Sequence, residues 1–376
     1  MGESIIFTDP PETVCIIRLS AIGDTCHTLP VVRAIQGAWP RTALTWIIGK
    51  TEHGLLQGLD GVEFLVLDKA KGWAGYREVR RGLGKRRFPL LLHMHASLRA
   101  NIVSTMVKAG VRLGFDRARA RDYQWLFCNA RLAPTPQQHV MDGLLEFAGA
   151  LGIERAAPRW DLPLASEDRA FAARVVDGSR PAVVISPCTG QRFRNYRNWS
   201  AERYATVAEH ATRRHGAQVI LTGAGTELER RYAGQIAAGL TEPPVDLVGR
   251  TTLKQLAALI GRATVVICPD SGPAHIATAV GTPVVGLYAT SNRWRTGPYA
   301  SQHLVVDKYP QAVRREFDKP VEALRWGQRV RDPAAMDLIE VDEVIEKLER
   351  VLARHAAAGP QPVDRHDREL PATSLR

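Results

Sequence analysis

The stretch Ala263-Thr264-Val265-Val266-Ile267-Cys268-Pro269-Asp270-Ser271-Gly272-Pro273-Ala274-His275 has two halves of different character. The first is β-branched and apolar, the composition of a strand covered on both faces in a parallel sheet. The second is small and polar, and it opens a helix with a proline at a first helical position, where a missing N–H costs nothing. A buried strand feeding a helix through a short turn is the unit of an α/β sheet. The free N–H groups and the positive end of the helix dipole face that turn, so an anion finds donors there without any basic side chain. Gly272 lets a ligand approach the backbone.

The same alternation recurs on both sides of this stretch. Strands are expected over residues 14–18, 43–48, 63–67, 89–94 and 111–115, with helices over 25–37, 76–84, 97–108 and 138–151. In the second half the expected strands are 182–186, 217–222, 245–248, 264–268 and 283–288, and the helices 201–215, 227–238, 253–260 and 274–280. Strands alternating with amphipathic helices imply βαβ units. The pattern lapses into Pro- and charge-rich sequence over 156–163. Two Rossmann-like, doubly wound domains facing each other across a cleft are therefore expected, residues 1–170 and 171–355. A long irregular stretch, 291–338, lines the cleft or packs beside it and precedes a last helix over 341–355. Residues 356–376 read as a disordered tail.

The 376 residues suit two domains, and 45% apolar with 24% charged residues is the composition of a soluble globular chain. No apolar run approaches the ~18 residues of a membrane helix. Met1-Gly2-Glu3-Ser4 lacks the basic start of a secretory signal, so a cytoplasmic location is expected. Five scattered cysteines with no C-x-x-C pair indicate neither a disulfide framework nor a zinc site. The net charge of +11, with arginine-rich patches over 77–87, 112–131 and 192–197, implies an anionic partner. Nucleic acid, an anionic membrane surface and a phosphorylated substrate all fit that charge, and no nucleic-acid-binding motif is present.

The N-terminal counterpart of the opening stretch is Val14-Cys15-Ile16-Ile17-Arg18-Leu19-Ser20-Ala21-Ile22-Gly23-Asp24-Thr25. A strand ends, Gly23 turns the chain, and a helix starts near Thr25. In a doubly wound domain this loop faces the ligand crevice. Asp24 is thereby either a general base or a simple helix cap worth ~1 kcal/mol. Gly223-Ala224-Gly225-Thr226-Glu227 invites a dinucleotide reading but lacks the third glycine, where Leu228 stands, which disfavours a dehydrogenase. No D-x-D triplet occurs to bridge a metal to a diphosphate.

Taken together, Leu19-Ser20-Ala21-Ile22-Gly23-Asp24 with Thr28-Leu29-Pro30, and Asp270-Ser271-Gly272-Pro273-Ala274-His275 with Ala279-Val280-Gly281-Thr282-Pro283, resemble glycosyltransferase family 9, which includes the lipopolysaccharide heptosyltransferases. Gln138-His139 and Arg197-Asn198-Trp199 extend the resemblance.

The resemblance implies a GT-B fold, with acceptor on the N-terminal domain and nucleotide sugar on the C-terminal one. It implies an inverting, metal-independent enzyme that uses no cofactor and moves heptose from ADP-heptose onto a lipopolysaccharide-core-type acceptor. Asp24 matches the catalytic base. Thr189, Arg197, Glu227, Asp270, Ser271, Gly272, Pro273 and His275 match donor-binding positions. Gly23, Ser97, Arg99, Arg117, Arg119, Arg121 and His139 match the acceptor side. Arg197 stands where the family carries lysine, and Arg192 and Arg194 lengthen its loop. His93-Met94-His95-Ala96-Ser97 also departs from the family pattern, which leaves the acceptor open. The implied partners are the nucleotide sugar, an anionic glycolipid and, peripherally, the inner membrane surface. Nucleic acid is not among them. The same fold with another nucleotide sugar, and a non-catalytic nucleotide- or nucleic-acid-binding protein, are the alternatives.

Overall fold

Strands with apolar side chains on both faces need helices over both, and each half of the chain meets that need with one doubly wound sheet. The computed structural model describes Phe7, residues 9–190 and residues 194–358. It divides into two compact units, one ending at Pro163 and the next beginning at Leu164.

The first unit runs β1 (Thr13–Ile17), α1 (Ile22–Ala38), β2 (Ala43–Gly49), α2 (Lys50–Leu56), β3 (Val62–Leu67), α3 (Trp73–Leu83), β4 (Arg87–His93), α4 (Leu98–Thr105), β5 (Lys108–Gly114), β6 (Ala130–Arg131) and α5 (Val140–Gly149). Its six strands are parallel in the order β3-β2-β1-β4-β5-β6. Cys15, Ile17, Ile47 and Leu91 pack beneath Val79, Leu83, Ala100 and Val103 in one buried cluster.

The second unit runs α6 (Ser166–Val175), β7 (Ala182–Ile185), α7 (Ala201–His215), β8 (Gln218–Leu221), α8 (Glu227–Ala238), β9 (Val245–Asp246), α9 (Leu253–Arg262), β10 (Val265–Pro269), α10 (Gly272–Ala279), β11 (Val284–Tyr288), α11 (Arg293–Thr296), β12 (Val306–Asp307), α12 (Tyr309–Phe317) and α13 (Val341–Ala358). The order β12-β11-β10-β7-β8-β9, again all parallel, repeats the topology of the first sheet. Both sheets are thus wound outward from two neighbouring strands, β1 and β4 or β7 and β10. Loops at the carboxyl ends of those strands diverge and leave a crevice. Trp199 anchors this unit: its ring is fully buried, stands edge-on to Tyr204 at 5.1 Å and donates its N–H to Ile339 O at 3.1 Å.

Several elements depart from the sequence expectation. Helix α1 begins at Ile22, so Gly23 and Asp24 lie in its first turn; the Asp24 carboxylate accepts the Ala21 N–H at 3.3 Å and ends the loop early. Strand β5 starts at Lys108, and α4 is correspondingly shorter than expected. The stretch 291–338 is not irregular, since it contains α11, β12 and α12. Helix α6, which runs across the expected 170/171 boundary, packs against α9. The expected tail from residue 359 and Arg192 lie outside the described residues. All five cysteines are free thiols, four of them buried. Burial pushes Cys26, Cys188 and Cys268 up to about 12, so none is a thiolate at neutral pH.

Candidate active site

In the first unit the loops after β1 and β4 meet at the point where strand order reverses. The Met94 N–H bonds Ile17 O at 3.1 Å, and Arg18 Nη1 donates to Met94 O at 2.5 Å. The Trp46 indole N–H bonds Arg18 O at 3.1 Å, which fixes the arginine backbone from the β2 side. With its backbone held, the buried Arg18 guanidinium forms an ion pair with the Asp24 carboxylate. His95 Nδ1 accepts the Leu19 N–H at 3.2 Å. Burial, reinforced by Arg18, pushes His95 down to about 3, so this imidazole stays neutral beside the carboxylate. Asp24 caps α1, and its side chain is also one third exposed. The cap and the base readings are therefore compatible in one residue.

The residues matched to an acceptor fall into distinct environments. Gly23 is buried in the first turn of α1. Ser97 caps α4, accepting the Ala100 N–H at 3.3 Å, and Arg99, two residues on, is exposed. Arg117 stacks over Trp125 at 4.7 Å, and Arg121 is exposed. Arg119 is turned inward, paired with Asp116 and Glu146 and donating to Ala133 O at 3.0 Å. His139 caps α5 by accepting the Met141 N–H at 3.1 Å, and its buried ring meets His27 edge-on at 5.5 Å.

In the second unit the equivalent crevice lies between the loops after β7 and β10. Asp270, at the end of β10, has a side chain only 6% exposed. Its Oδ2 accepts the Ser291 hydroxyl at 2.8 Å and Arg329 Nη1 at 3.0 Å, and lies 3.3 Å from Arg197 Nη1. Arg197 also donates to Asp270 O at 2.6 Å and to Asn195 Oδ1 at 2.7 Å. Burial alone would raise the Asp270 carboxyl, but Arg329, Arg197, His275 and the Ser291 hydroxyl together hold it below the ordinary carboxylate value. Two guanidinium groups against one carboxylate leave net positive charge beside the start of α10. Ser271 is the N-cap of that helix, Gly272 and Pro273 form its first turn, and buried His275 follows. The Ser271 hydroxyl bonds Pro269 O at 3.0 Å. Thr189 joins the loop through Asn195 Nδ2 at 2.7 Å and Asn198 Oδ1 at 3.2 Å.

The glycines after β8 have a packing reason. Gly225 is at φ +86°, and a Cβ there would stand 2.7 Å from Gly249 Cα, so the loops after β8 and β9 touch backbone to backbone. Glu229, not Glu227, closes the capping box of α8, and Glu227 is left exposed in the first turn. Among the described residues one His/Glu group brings three potential metal-ligand atoms within 4.8 Å of one another: His210, His215 and Glu349. It joins the last turns of α7 to α13, at the end of the sheet opposite Asp270.

Four residues of these crevices were not foreseen. Arg18 follows the last residue of β1, and His95 lies two residues past the end of β4. Ser291 follows β11, the next strand beside β10. Arg329 lies 59 positions from Asp270, and no local pattern marks it.

A doubly wound sheet repeated in two units, each opening a crevice where its strand order reverses, is the architecture of a GT-B glycosyltransferase. The family model described as glycosyltransferase family 9 (heptosyltransferase) matches residues 76–324. The lipopolysaccharide core heptosyltransferase OpsX of Haemophilus influenzae is 40% identical over 92% of this chain and 99% of its own. The chain belongs to glycosyltransferase family 9 and is an enzyme of that class. Two solved structures share its GT-B fold. One is a family 9 glycosyl transferase from Veillonella parvula, with a TM-score of 0.74 and 20% identity over 92% of this chain and 98% of the other. The second is the E. coli heptosyltransferase WaaC with ADP, with a TM-score of 0.70 and 18% identity over 90% of this chain and 99% of the other.

Proposed function

We propose that the enzyme moves heptose from ADP-heptose onto a lipopolysaccharide-core acceptor, with inversion at the anomeric carbon and without a metal. The acceptor reading rests on the likeness to OpsX, a lipopolysaccharide core heptosyltransferase. The donor reading draws on the relative solved with ADP. The observation that carries the chemistry is the pairing of Asp24 with Arg18 at the crevice of the first sheet.

Asp24 takes the proton of an acceptor hydroxyl as its oxygen attacks the anomeric carbon, and the nucleoside diphosphate departs. Arg18 orients the carboxylate, and neutral His95 excludes a competing positive charge. The leaving diphosphate gains charge at the start of α10, where the backbone N–H groups and Ser271 stabilise it, with Arg197 and Arg329 alongside. Thr189 and His275 complete the donor loop, and Glu227 meets the ribose. Asp270 is already saturated by two guanidinium groups, so it is a poor metal ligand, and the arginines supply the charge a metal would bring. Ser97, Arg99, Arg117 and Arg121 take acceptor phosphates or carboxylates. Such an acceptor places the enzyme at the cytoplasmic face of the inner membrane as a peripheral protein.

The test is transfer from ADP-heptose to a deacylated core acceptor, read by mass spectrometry for one added heptose and by NMR for inverted configuration. EDTA should leave the rate unchanged. Calorimetry with ADP, UDP and GDP fixes the nucleotide, and preference for UDP or GDP would overturn the donor assignment. A glycolipid unaltered in mass in cells lacking the protein would overturn the acceptor assignment.

A further inference from the structure

Five large apolar side chains stand exposed among the described residues: Trp73, Leu98, Tyr123, Leu126 and Trp294. Two have local partners, since Trp73 packs on Tyr76 at 5.4 Å and Trp294 lies under the Arg293 guanidinium at 4.2 Å. The other three belong to one hydrogen-bonded platform beside the crevice of the first sheet. Leu98 is 59% exposed, Tyr123 70% and Leu126 63%.

The platform is built, not frayed. The Leu98 N–H donates to Asp122 Oδ2 at 2.9 Å, and the buried Asn101 amide donates to Asp122 O at 2.6 Å. These bonds clamp the start of α4 to the turn that carries Tyr123 and Leu126. Asp122 and Tyr123 both have positive φ, 50° and 59°, in a loop whose Gln124 is buried and donates to His93 O at 2.7 Å. The Leu126 N–H bonds Tyr123 O at 2.9 Å, and the 3₁₀ turn Gln124–Leu126 brings side chains three apart nearly into line. Arg99, Arg117, Arg121 and Arg131 are exposed on the same segments, against one exposed carboxylate, Asp122, which is already hydrogen-bonded.

An apolar cluster rimmed by arginines matches an anionic bilayer surface, where the apolar groups enter the headgroup boundary and the guanidinium groups meet lipid phosphates. We propose that Leu98, Tyr123 and Leu126 form a membrane-docking face that seats the first unit on anionic phospholipid. This deepens the glycolipid reading of the acceptor and rests on it. The platform continues into Ser97 and Arg99, so docking delivers the acceptor-side residues to the lipid surface without a membrane-spanning helix, and no helix among the described residues is long and apolar enough to be one.

The experiment is co-sedimentation of the full chain with phosphatidylglycerol-containing vesicles, for the native protein and for the variant Leu98→Ser/Tyr123→Ser/Leu126→Ser. Native protein should bind, and the variant at least tenfold more weakly. Circular dichroism should be unchanged, because all three side chains already contact water. Turnover on a deacylated, water-soluble acceptor should also be unchanged. Hydrogen exchange gives a second readout, with residues 117–126 protected when vesicles are added to native protein. Absence of vesicle binding by the native protein, equal binding by the variant, or a changed oligomeric state with unchanged lipid binding would each overturn the docking face. Vesicle binding without heptose transfer would overturn the proposed reaction and leave the docking face standing.

Discussion

Asp270→Ala tests whether this carboxylate is the electrostatic keystone of the second unit. The change removes the acceptor for the Ser291 hydroxyl at 2.8 Å and the counter-charge of Arg329 at 3.0 Å and Arg197 at 3.3 Å. Removing one partner of a buried ion pair costs about 3–5 kcal/mol. Arg329 is one third exposed and so partly screened, which sets the expectation at the lower end, about 3 kcal/mol. For a unit of this size that is a fall of roughly 6–12 °C in the melting of the second unit. Asp270→Asn keeps the shape and the Ser291 bond, and should lose about half as much. The assay is calorimetric unfolding at pH 7.5 of both variants, Arg329→Gln and the double variant Asp270→Ala/Arg329→Gln. Coupling between the two positions should reach about 1–2 kcal/mol, within the range for residues in contact. The pH dependence has a definite sign. The folded carboxyl lies below its ordinary value, so its contribution is complete above about pH 4 and disappears as pH falls through the depressed folded value. The gap between native and Asp270→Ala protein should therefore hold from pH 8 to 5 and close in stronger acid. A loss under 0.5 kcal/mol or a coupling near zero would refute the reasoning.

Asp24→Asn should lower kcat about 10²- to 10⁴-fold with the ADP dissociation constant unchanged, because it removes a proton acceptor in one unit and leaves the donor loop of the other alone. Retained turnover would remove Asp24 from the base role. The arginines of the 117–121 segment should separate in steady-state kinetics and melting. Arg117→Ala/Arg121→Ala should raise the acceptor KM with little change in donor KM, whereas Arg119→Met should chiefly lower the melting temperature because its guanidinium is paired with Asp116 and Glu146. Burial, with Arg112 nearby, pushes His93 down to about 4, so the folded state resists a proton that the unfolded chain accepts near pH 6.5. Stability of the first unit should fall with acidification between those values, and His93→Leu should flatten the slope of melting temperature against pH.

The elements that were legible in the sequence are those whose own side chains dictate them. The runs at 14–17, 182–185 and 265–268 are apolar on both faces, and such a strand has no stable place except between two helical layers. The two-residue strands β6, β9 and β12 have no such signature, because they form only where a longer neighbour presents its edge; of these, only β9 fell within a predicted strand. Helix α12 did carry a signal, a proline in its first turn at Pro310, but it sat among too many charged residues to stand out. The turn from β10 into α10 was legible because strand, turn and helix start are consecutive. Its partners Ser291 and Arg329 were not, since they reach Asp270 only through the packing of later segments, one anchored where the Val330 N–H bonds Thr290 O at 3.1 Å.

Two aspartates are paired with arginines at equivalent crevices, and in the proposed reaction their exposures favour Asp24 over Asp270 as the proton acceptor. The Asp270 side chain is 6% exposed and meets two guanidinium groups and a hydroxyl on one oxygen. Protonating it would break interactions that hold three segments together, so it serves by staying charged. The Asp24 side chain is 33% exposed and stands in the first turn of α1, where an incoming hydroxyl can reach it. Arg18 directly follows β1 and is fixed by Met94 and Trp46, so the Asp24 carboxylate can take up a proton while Arg18 keeps a bond to Met94 O. Arg18→Met should therefore slow the reaction less than Asp24→Asn while disturbing the pH profile of kcat more, since the carboxylate loses its orienting charge yet remains a base. Equal loss of kcat in both variants, with no change in pH profile, would show Arg18 acting only through the fold.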